Sequence, residues 1–175
     1  MRWLLIAISL LAFSAHGDEF ADYGVAPQET LRQQDFHAPT PLAVPGARTI
    51  TTAELRKRLQ APPAERPLLI DVLGGYGHAS LPGAVWLPGA GRGGSFEDPI
   101  QARLGQALRV LSGGNAGREM VFFCASPQCW LSYNAALRAI HLRYSTVAWY
   151  RGGIEAWGES GGALEAPRVL WRPDR

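Results

Sequence analysis

The sequence predicts an α/β fold in which a parallel β-sheet is covered by helices on both faces. Two observations carry this prediction. Short apolar runs alternate with amphipathic segments along residues 48–167, which is typical of β-α-β units. The apolar runs are also continuous rather than alternating with polar residues, as expected of strands that are buried on both sides.

The first regular elements follow directly after residue 48. Thr51 and Glu54 form a capping box, which predicts a short helix over residues 52–60. A proline-rich turn then leads into residues 68–72 (LLIDV), a continuous apolar run that predicts a buried strand. Residues 84–87 (AVWL) predict a second strand because Pro-Gly pairs bound them on both sides.

The second half of the pattern repeats this alternation. Asp98 is placed to cap a helix that runs to Leu111, with leucines at helical spacing. Residues 120–124 (MVFFC) predict a third buried strand, and residues 130–141 predict a helix with large apolar side chains every three or four positions. The last two predicted elements are a strand over residues 145–149 and a helix over residues 154–159.

The segments outside this core have distinct compositions. Residues 1–17 combine an early arginine, a ten-residue apolar stretch and small residues before Asp18, which predicts a cleaved secretory signal peptide and a periplasmic protein with no membrane anchor. Residues 18–47 contain four prolines and no helical or strand period, so we expect an extended, loosely docked arm. Residues 168–175 are expected to form a C-terminal tail.

Charge and histidine spacing exclude several function classes. The formal net charge is +2, and the basic residues are scattered, which argues against a nucleic-acid partner. The histidines lack metal-ligand spacing among themselves or with the two cysteines. We therefore expect no metal and no cofactor.

The segment most suggestive of chemistry is the loop after the third predicted strand. Cys124 stands at the carboxyl end of a buried strand, and a helix begins at Trp130. That edge of a parallel sheet is where ligands bind, and the tight turn and the following helix offer backbone N–H groups to an anion. Such surroundings lower the pKa of a thiol, so Cys124 is the candidate nucleophile.

At this point the sequence resembles the rhodanese-like domains. Residues 124–129 (CASPQC) are similar to the family's six-residue active-site loop, written C-x-x-G-x-R. Residues 150–157 (YRGGIEAW) resemble its G-G-x-x-x-W segment, and residues 69–72 (LIDV) with 81–85 (LPGAV) resemble its D-V strand and I-P-G-A run. The resemblance covers about residues 48–167. It implies a rhodanese-like fold, a sulfurtransferase activity through a cysteine persulfide, and a hydrogen-bonding role for Asp71 at the end of its strand.

The sequence departs from the family pattern in the loop itself. Pro127 stands in place of glycine, which removes a backbone donor, and Cys129 stands in place of arginine. Leu73 replaces the arginine of the D-V-R run. These changes make thiosulfate a less convincing substrate, and Arg151 and Arg92 are the candidates to compensate.

A narrower resemblance concerns the helix that follows the loop. Residues 129–136 (CWLSYNAA) resemble the C-W-x-S-x-N-A-A run of exported rhodanese-like proteins, named for a CxxCW motif, that are associated with pyrroloquinoline-quinone-dependent alcohol oxidation. Residues 35–41 (DFHAPTP) resemble their arm. Here four residues separate the cysteines, so the literal motif is not satisfied. The resemblance implies partners in periplasmic alcohol oxidation.

Three hypotheses remain open. In the first, Cys124 transfers sulfur from a small sulfur-containing substrate or a protein thiol. In the second, Cys124 and Cys129 cycle between dithiol and disulfide. In the third, a permanent disulfide locks a non-catalytic binding module. The candidate site comprises the nucleophile Cys124, the substrate-binding loop residues Ala125, Ser126, Gln128, Cys129 and Trp130, and the supporting residues Asp71 and Arg151, with Cys129 as redox partner.

Overall fold

The computed structural model describes residues 18–171. The predicted signal peptide lies outside the described residues. Within that range the strands are β1 (Arg48–Ile50), β2 (Leu68–Asp71), β3 (Val85–Trp86), β4 (Met120–Phe123), β5 (Val147–Tyr150) and β6 (Arg168–Val169). The helices are α1 (Thr52–Leu59), α2 (Pro99–Ser112), α3 (Trp130–His141) and α4 (Gly153–Glu159).

The strands form one sheet in the order β1-β5-β4-β2-β3-β6, and every neighbouring pair is parallel. The predicted parallel α/β fold is therefore confirmed. The register pairs Phe123 of β4 with Asp71 of β2 on one side and with Tyr150 of β5 on the other. Because these three residues end their strands, the segments that follow them emerge side by side at one edge of the sheet.

The helices cover both faces of the sheet. Alternate residues of a strand point to opposite faces, so Phe122 and Phe123 enter different apolar clusters. Phe122 packs with residues of α2 and α3, whereas Phe123 packs with Leu55 of α1 and Trp157 of α4. Both phenylalanines are fully buried, and burying a side chain of this size stabilises a fold by roughly 1.5–3 kcal/mol.

The helix termini follow the predicted capping chemistry. The Thr51 side chain accepts a hydrogen bond from the N–H of Glu54, and the Glu54 carboxylate accepts one from the N–H of Thr51. Asp98 caps α2, which ends at Gly113 in the left-handed conformation with φ +62°. The predicted bounds of α3 are confirmed at both ends, and those of the other helices differ by one residue at a terminus.

Two short strands were not predicted, because their sequences carry no strand pattern. β1 has three residues, of which only Ile50 is buried. β6 has two exposed residues, and it lies in the segment that the sequence analysis assigns to a tail. It is held by its pairing with β3, and Trp171 just beyond it is buried in the larger apolar cluster.

The N-terminal arm is fastened to the domain more tightly than expected. Leu31 and Val44 are buried in the larger apolar cluster. Of the aromatic residues in the arm, Tyr23 lies beneath the Arg151 guanidinium and Phe36 packs against the same cluster, partly buried. Within residues 18–171, the structure contains no helix with the length and apolar character needed to cross a membrane.

Candidate functional site

The candidate site is the loop between β4 and α3. Cys124 follows the last residue of β4, and α3 begins at Trp130. The loop lies between the segments that leave β2 and β5, because those strands flank β4 in the sheet. The predicted position of Cys124, at the carboxyl end of a central parallel strand, is confirmed.

The two cysteines of the loop form a disulfide. Their Cα atoms are 6.2 Å apart, within the range that the bond requires. Each cysteine is only 1% exposed and belongs to the larger apolar cluster. Neither sulfur titrates in this state. The nucleophilic role of Cys124 is therefore a prediction for the reduced protein.

The first turn of α4 holds the start of the loop. The carbonyl groups of Cys124 and half-buried Ala125 accept hydrogen bonds from the N–H groups of Ile154 and Glu155, at 3.0 and 2.9 Å. Gly153 approaches so closely that a Cβ atom there would lie 2.4 Å from the Cys124 carbonyl oxygen, and its φ is +64°. Only glycine fits, which explains the second glycine of the G-G-x-x-x-W segment.

The loop's own N–H groups have partners other than the sulfur at two positions. The N–H of exposed Gln128 donates to the Ser126 hydroxyl at 3.3 Å. The N–H of Trp130, the first of α3, donates to the carbonyl of Phe36 in the arm at 2.9 Å. The N–H group expected to face the sulfur at the start of α3 therefore binds the arm in this state. That several N–H groups converge on the Cys124 sulfur stays a prediction.

The arm lies directly on the loop between β4 and α3. The carbonyl of buried Pro127 accepts two hydrogen bonds from Thr40, from its N–H at 3.2 Å and from its hydroxyl at 2.6 Å. His37 and Cys129 form an isolated antiparallel β-bridge. Cys129 is therefore held on one side by the disulfide and on the other by the backbone of the arm.

Arg151, which follows β5, binds the arm. Its Nη1 donates to the carbonyl of Glu19 at 2.8 Å, and its Nε and Nη2 donate to the hydroxyl and carbonyl oxygens of Thr40 at 3.2 and 3.0 Å. Burial lowers the pKa of the guanidinium, while Tyr23 and nearby carboxylates oppose that shift. The structure places Arg151 as a clamp on two parts of the arm.

Asp71 is a hydrogen-bonding residue at the end of β2, as the resemblance implies. Its fully buried carboxylate accepts from the N–H of Leu73 at 2.9 Å and from the Ser80 hydroxyl at 2.6 Å, and His78 Nε2 lies 2.6 Å away. The His78 ring stands edge-on to Trp86. Among residues 18–171, no group of three or more His, Cys, Asp or Glu side chains could hold a metal ion.

Sequence reasoning missed the role of two residues on α3. Tyr133 is one of the large side chains whose spacing predicts the helix over residues 130–141, and Asn134 belongs to the run that resembles C-W-x-S-x-N-A-A. Both are fully buried, and their polar groups bind the backbone of the arm. The available signal was the asparagine itself, because a buried amide in the middle of a helix needs specific partners.

Comparison with known proteins identifies the fold. Residues 51–160 match the model of the rhodanese-like domain family. A search of curated proteins returned no match. Among solved structures, the thiosulfate sulfurtransferase of Pseudomonas aeruginosa is similar with a TM-score of 0.53 and 24% identity over 74% of this chain. The match covers 22% of that enzyme, so this chain corresponds to about a fifth of its length.

Two other solved structures show the same fold. The rhodanese-like domain of the Alr3790 protein from Anabaena sp. has a TM-score of 0.50 and 21% identity, over 73% of this chain and 87% of that domain. The anaerobic ergothioneine biosynthesis enzyme from Chlorobium limicola has a TM-score of 0.50 and 16% identity, over 75% of this chain and 34% of the enzyme. At these identities the likeness concerns the fold alone.

Proposed function

The chain belongs to the family of rhodanese-like domains, and from this premise we propose that it is a sulfurtransferase that carries sulfur as a persulfide on Cys124. The observation that carries the proposal is the disulfide between Cys124 and Cys129. It links the residue at the family's nucleophile position to a second thiol five residues later. The two sulfurs are thus close enough to react with each other, which makes Cys129 a resolving cysteine.

The catalytic cycle begins with reduction of the disulfide. A dithiol supplies two electrons and two protons, becomes a disulfide itself, and leaves both cysteines as thiols. The Cys124 thiolate then attacks the outer sulfur of a donor R–S–S⁻. A new S–S bond forms on Cys124, the S–S bond of the donor breaks, and R–S⁻ leaves. An acceptor thiolate that attacks the outer persulfide sulfur regenerates the Cys124 thiolate.

Cys129 offers a second exit from the persulfide. Its thiolate attacks the inner sulfur, which is Sγ of Cys124, and hydrosulfide leaves. The product is the Cys124–Cys129 disulfide, the state in which the loop is found. Sulfur uptake and disulfide formation are therefore steps of one cycle, and a dithiol must reopen the loop before the next turnover.

The surroundings of the loop favour a persulfide donor over a thiosulfate dianion. Cys129 occupies the position of the family's loop arginine. Arg151, the expected substitute, makes its three hydrogen bonds to the arm. A doubly charged donor would lack both of these cations, whereas a singly charged persulfide needs less compensation.

Mass spectrometry of reduced protein treated with a glutathione persulfide donor tests the proposal. Cys129→Ser should gain one sulfur atom on Cys124 and keep it. The wild type should release about one equivalent of hydrosulfide and return to the disulfide, and Cys124→Ser should do neither. Absence of sulfur uptake by the Cys129→Ser variant would overturn the sulfurtransferase proposal.

Thiol–disulfide exchange without sulfur transfer is the second candidate function, because the same disulfide supports it. Cys129→Ser separates the two, since it should retain sulfur uptake but lose redox cycling. A disulfide in purified protein that dithiothreitol barely reduces would instead support the non-catalytic module.

We also propose that the protein works in the periplasm, in connection with pyrroloquinoline-quinone-dependent alcohol oxidation. The support is the signal-peptide pattern of residues 1–17 and the resemblance of residues 129–136 to exported proteins of that system. N-terminal sequencing of the periplasmic fraction should start at Asp18. Deletion of the gene should slow growth on ethanol or methanol and leave growth on sugars unchanged.

A further inference from the structure

Two buried side chains of α3 bind the backbone of the arm in pairs of hydrogen bonds. The Tyr133 hydroxyl accepts from the N–H of Gln28 and donates to its carbonyl, both at 2.8 Å. The Asn134 side chain accepts from the N–H of Arg32 at 3.0 Å and donates to its carbonyl at 2.9 Å. Each side chain therefore recognises both main-chain groups of one residue.

The same pattern continues towards the disulfide. Trp130 donates twice, from its N–H to the carbonyl of Phe36 at 2.9 Å and from its indole N–H to the carbonyl of Pro39 at 3.0 Å. The Pro127 carbonyl accepts from the N–H of Thr40. Contacts thus recur at residues 28, 32, 36, 39 and 40 of the arm, which bends at Asp35 (φ +51°) and passes Cys129. We call this surface, formed by Pro127, Trp130, Tyr133 and Asn134, the backbone groove.

The arm covers the backbone groove. Tyr133, Asn134 and Trp130 are each at most 1% exposed while the arm is bound, and their polar groups pair with its main chain. A segment that displaces the arm must therefore offer peptide groups that pair with these side chains better than water does. The arm atoms that hydrogen-bond to Tyr133, Asn134 and Trp130 belong to its main chain, and the side chains of Leu31 and Phe36 add apolar packing. An extended polypeptide meets these requirements, and the recognition resembles β-strand addition in principle.

We infer that the backbone groove binds an extended, cysteine-bearing segment of a partner protein and that the arm occupies the groove as an intramolecular competitor. The inference rests on the proposed function and names its substrate class. The first partner thiol opens the loop by forming a mixed disulfide, and a second partner thiol then attacks the partner's sulfur in that mixed disulfide and releases Cys129, which completes the two-electron reduction. A small anion is not the favoured reductant, because the groove's polar groups are matched to peptide N–H and C=O groups.

The register of the arm indicates which sulfur the partner attacks. His37 is bridged to Cys129, so a cysteine at the equivalent position of a bound segment lies nearest Cys129. Its thiolate attacks the Cys129 sulfur, a mixed disulfide forms with Cys129, and the bond between Cys129 and Cys124 breaks. The electron pair leaves on Cys124, which becomes the thiolate that accepts sulfur.

The test compares two synthetic peptides as reductants of the oxidised full chain. Both have the arm sequence of residues 26–41 with His37→Cys, and one is N-methylated at the positions of Gln28, Arg32 and Thr40. Thiols are trapped with iodoacetamide and counted by mass spectrometry. The unmodified peptide should open the disulfide at least about tenfold faster, and equal rates within about twofold would overturn the inference.

The ratio of the two rates measures the contribution of main-chain hydrogen bonds to the backbone groove. Displacement of the arm slows both peptides equally and therefore cancels from the ratio. Reaction of both peptides with a small disulfide controls for their intrinsic thiol reactivity. The outcome is independent of sulfur transfer, since no sulfur donor is present. A tenfold rate ratio combined with no sulfur uptake in the separate persulfide assay would support the backbone groove and reject the sulfurtransferase. Equal peptide rates combined with sulfur uptake on Cys124 would reject the groove and support the sulfurtransferase.

A matched pair of variants tests the competition by the arm. Thr40→Val removes the hydroxyl that donates to Pro127 and accepts from Arg151, so both peptides should react about five- to tenfold faster. Thr49→Val also removes a hydroxyl bonded to an arm carbonyl, that of Leu42, but away from the groove. It should leave both rates unchanged. Acceleration by Thr49→Val alone, or by neither variant, contradicts the role of the arm.

Discussion

A single buried carboxylate organises the segment that leaves β2 beside the loop between β4 and α3. Asp71 accepts hydrogen bonds from the backbone of Leu73 and from the Ser80 hydroxyl, and it contacts His78. The family resemblance implies a hydrogen-bonding residue at this strand end, whereas the apolar run alone places Asp71 one position before the end of the predicted strand. The sequence does not reveal the side-chain partners, His78 and Ser80, which lie seven and nine residues later.

Replacement of Asp71 by asparagine should destabilise the protein. The oxygen shared by Ser80 and His78 becomes either an amide nitrogen or a weaker acceptor, so at least one buried polar group loses its partner. We expect the free energy of unfolding to fall by about 2–3 kcal/mol, measured by urea denaturation at pH 7.

Asp22→Asn is the control for this change. Asp22 is exposed and accepts one hydrogen bond, from the N–H of Gly24. Its replacement should alter the free energy of unfolding by less than about 0.5 kcal/mol. An Asp71→Asn variant as stable as the control would show that the hydrogen bonds of Asp71 contribute little to the fold.

The chemistry of the site was predictable only in part from its residues. Cys124 and its loop followed from the strand-to-helix position and the family pattern. The sequence did not predict that the Arg151 side chain points to the arm, because a guanidinium that follows a strand can point either to a ligand or to a neighbouring segment. Here the neighbour is an arm more than 100 residues away in the chain, and sequence spacing carries no information about that contact.

At the scale of elements, one buried cation joins α2, α3 and the loop between β3 and α2. Arg138 of α3 donates to both oxygens of Asp98, the N-cap of α2, at 3.0 and 2.8 Å. It also donates to the carbonyls of Arg92, Gly93 and Ser95. The loop between β3 and α2 is thereby attached to α3, the helix that follows the disulfide-bonded cysteines.

Asp98→Ala should therefore lower the free energy of unfolding by more than the loss of a helix cap alone would. It removes the cap and leaves a fully buried guanidinium without its counter-charge. Because Asp98 itself keeps 16% exposure, we expect a loss near the lower end for buried pairs, about 3 kcal/mol in urea denaturation. Glu97→Ala, one exposed residue earlier, should have almost no effect.

The same ion pair gives the stability an acid dependence. Burial opposes ionisation of Asp98, but hydrogen bonds from Arg138 and from the N–H of Gln101 outweigh it and lower the pKa of the carboxyl. The stabilisation is therefore present above the pKa of the unfolded chain and is lost as the pH falls through the folded-state value. In Asp98→Asn, which can still cap the helix, this acid-dependent contribution should disappear from unfolding curves between pH 5 and 2.

Elements with a strong local signal were predicted well, whereas those held by tertiary contacts were not. α3 combines regular apolar spacing with a defined start, so both of its ends were predicted. β6 has two exposed residues, and it is a strand only because its backbone pairs with β3. No local propensity specifies such a pairing.

For the whole molecule, fold class and sheet order have different origins. Continuous apolar strands that alternate with helices are enough to predict a parallel sheet covered on both faces. The order β1-β5-β4-β2-β3-β6 depends on which strands pair, and no pattern in the sequence predicts that order. The path of the arm across the loop depends on backbone contacts made by Tyr133 and Asn134, and apolar periodicity does not show these.

The disulfide should contribute modestly to the stability of the whole domain. It closes a loop of only five residue steps, from Cys124 to Cys129. The chain-entropy estimate for so short a loop is about 2 kcal/mol, less than for a long-range bridge. Reduction of the wild type should therefore lower the free energy of unfolding in urea by about 2 kcal/mol, and Tm by roughly 4–8 °C.

The double variant Cys124→Ala/Cys129→Ala controls for the reductant, since its stability should be the same with and without dithiothreitol. The same stability difference also gives the effect of folding on the reduction potential of the disulfide. By thermodynamic linkage, a disulfide that stabilises the fold is itself stabilised by the fold to the same extent. A value of about 2 kcal/mol corresponds to roughly 45 mV for a two-electron couple, a range in which partner dithiols can still reopen the bond. A loss of about 5 kcal/mol or more would instead indicate a structural bridge and exclude a cycling loop.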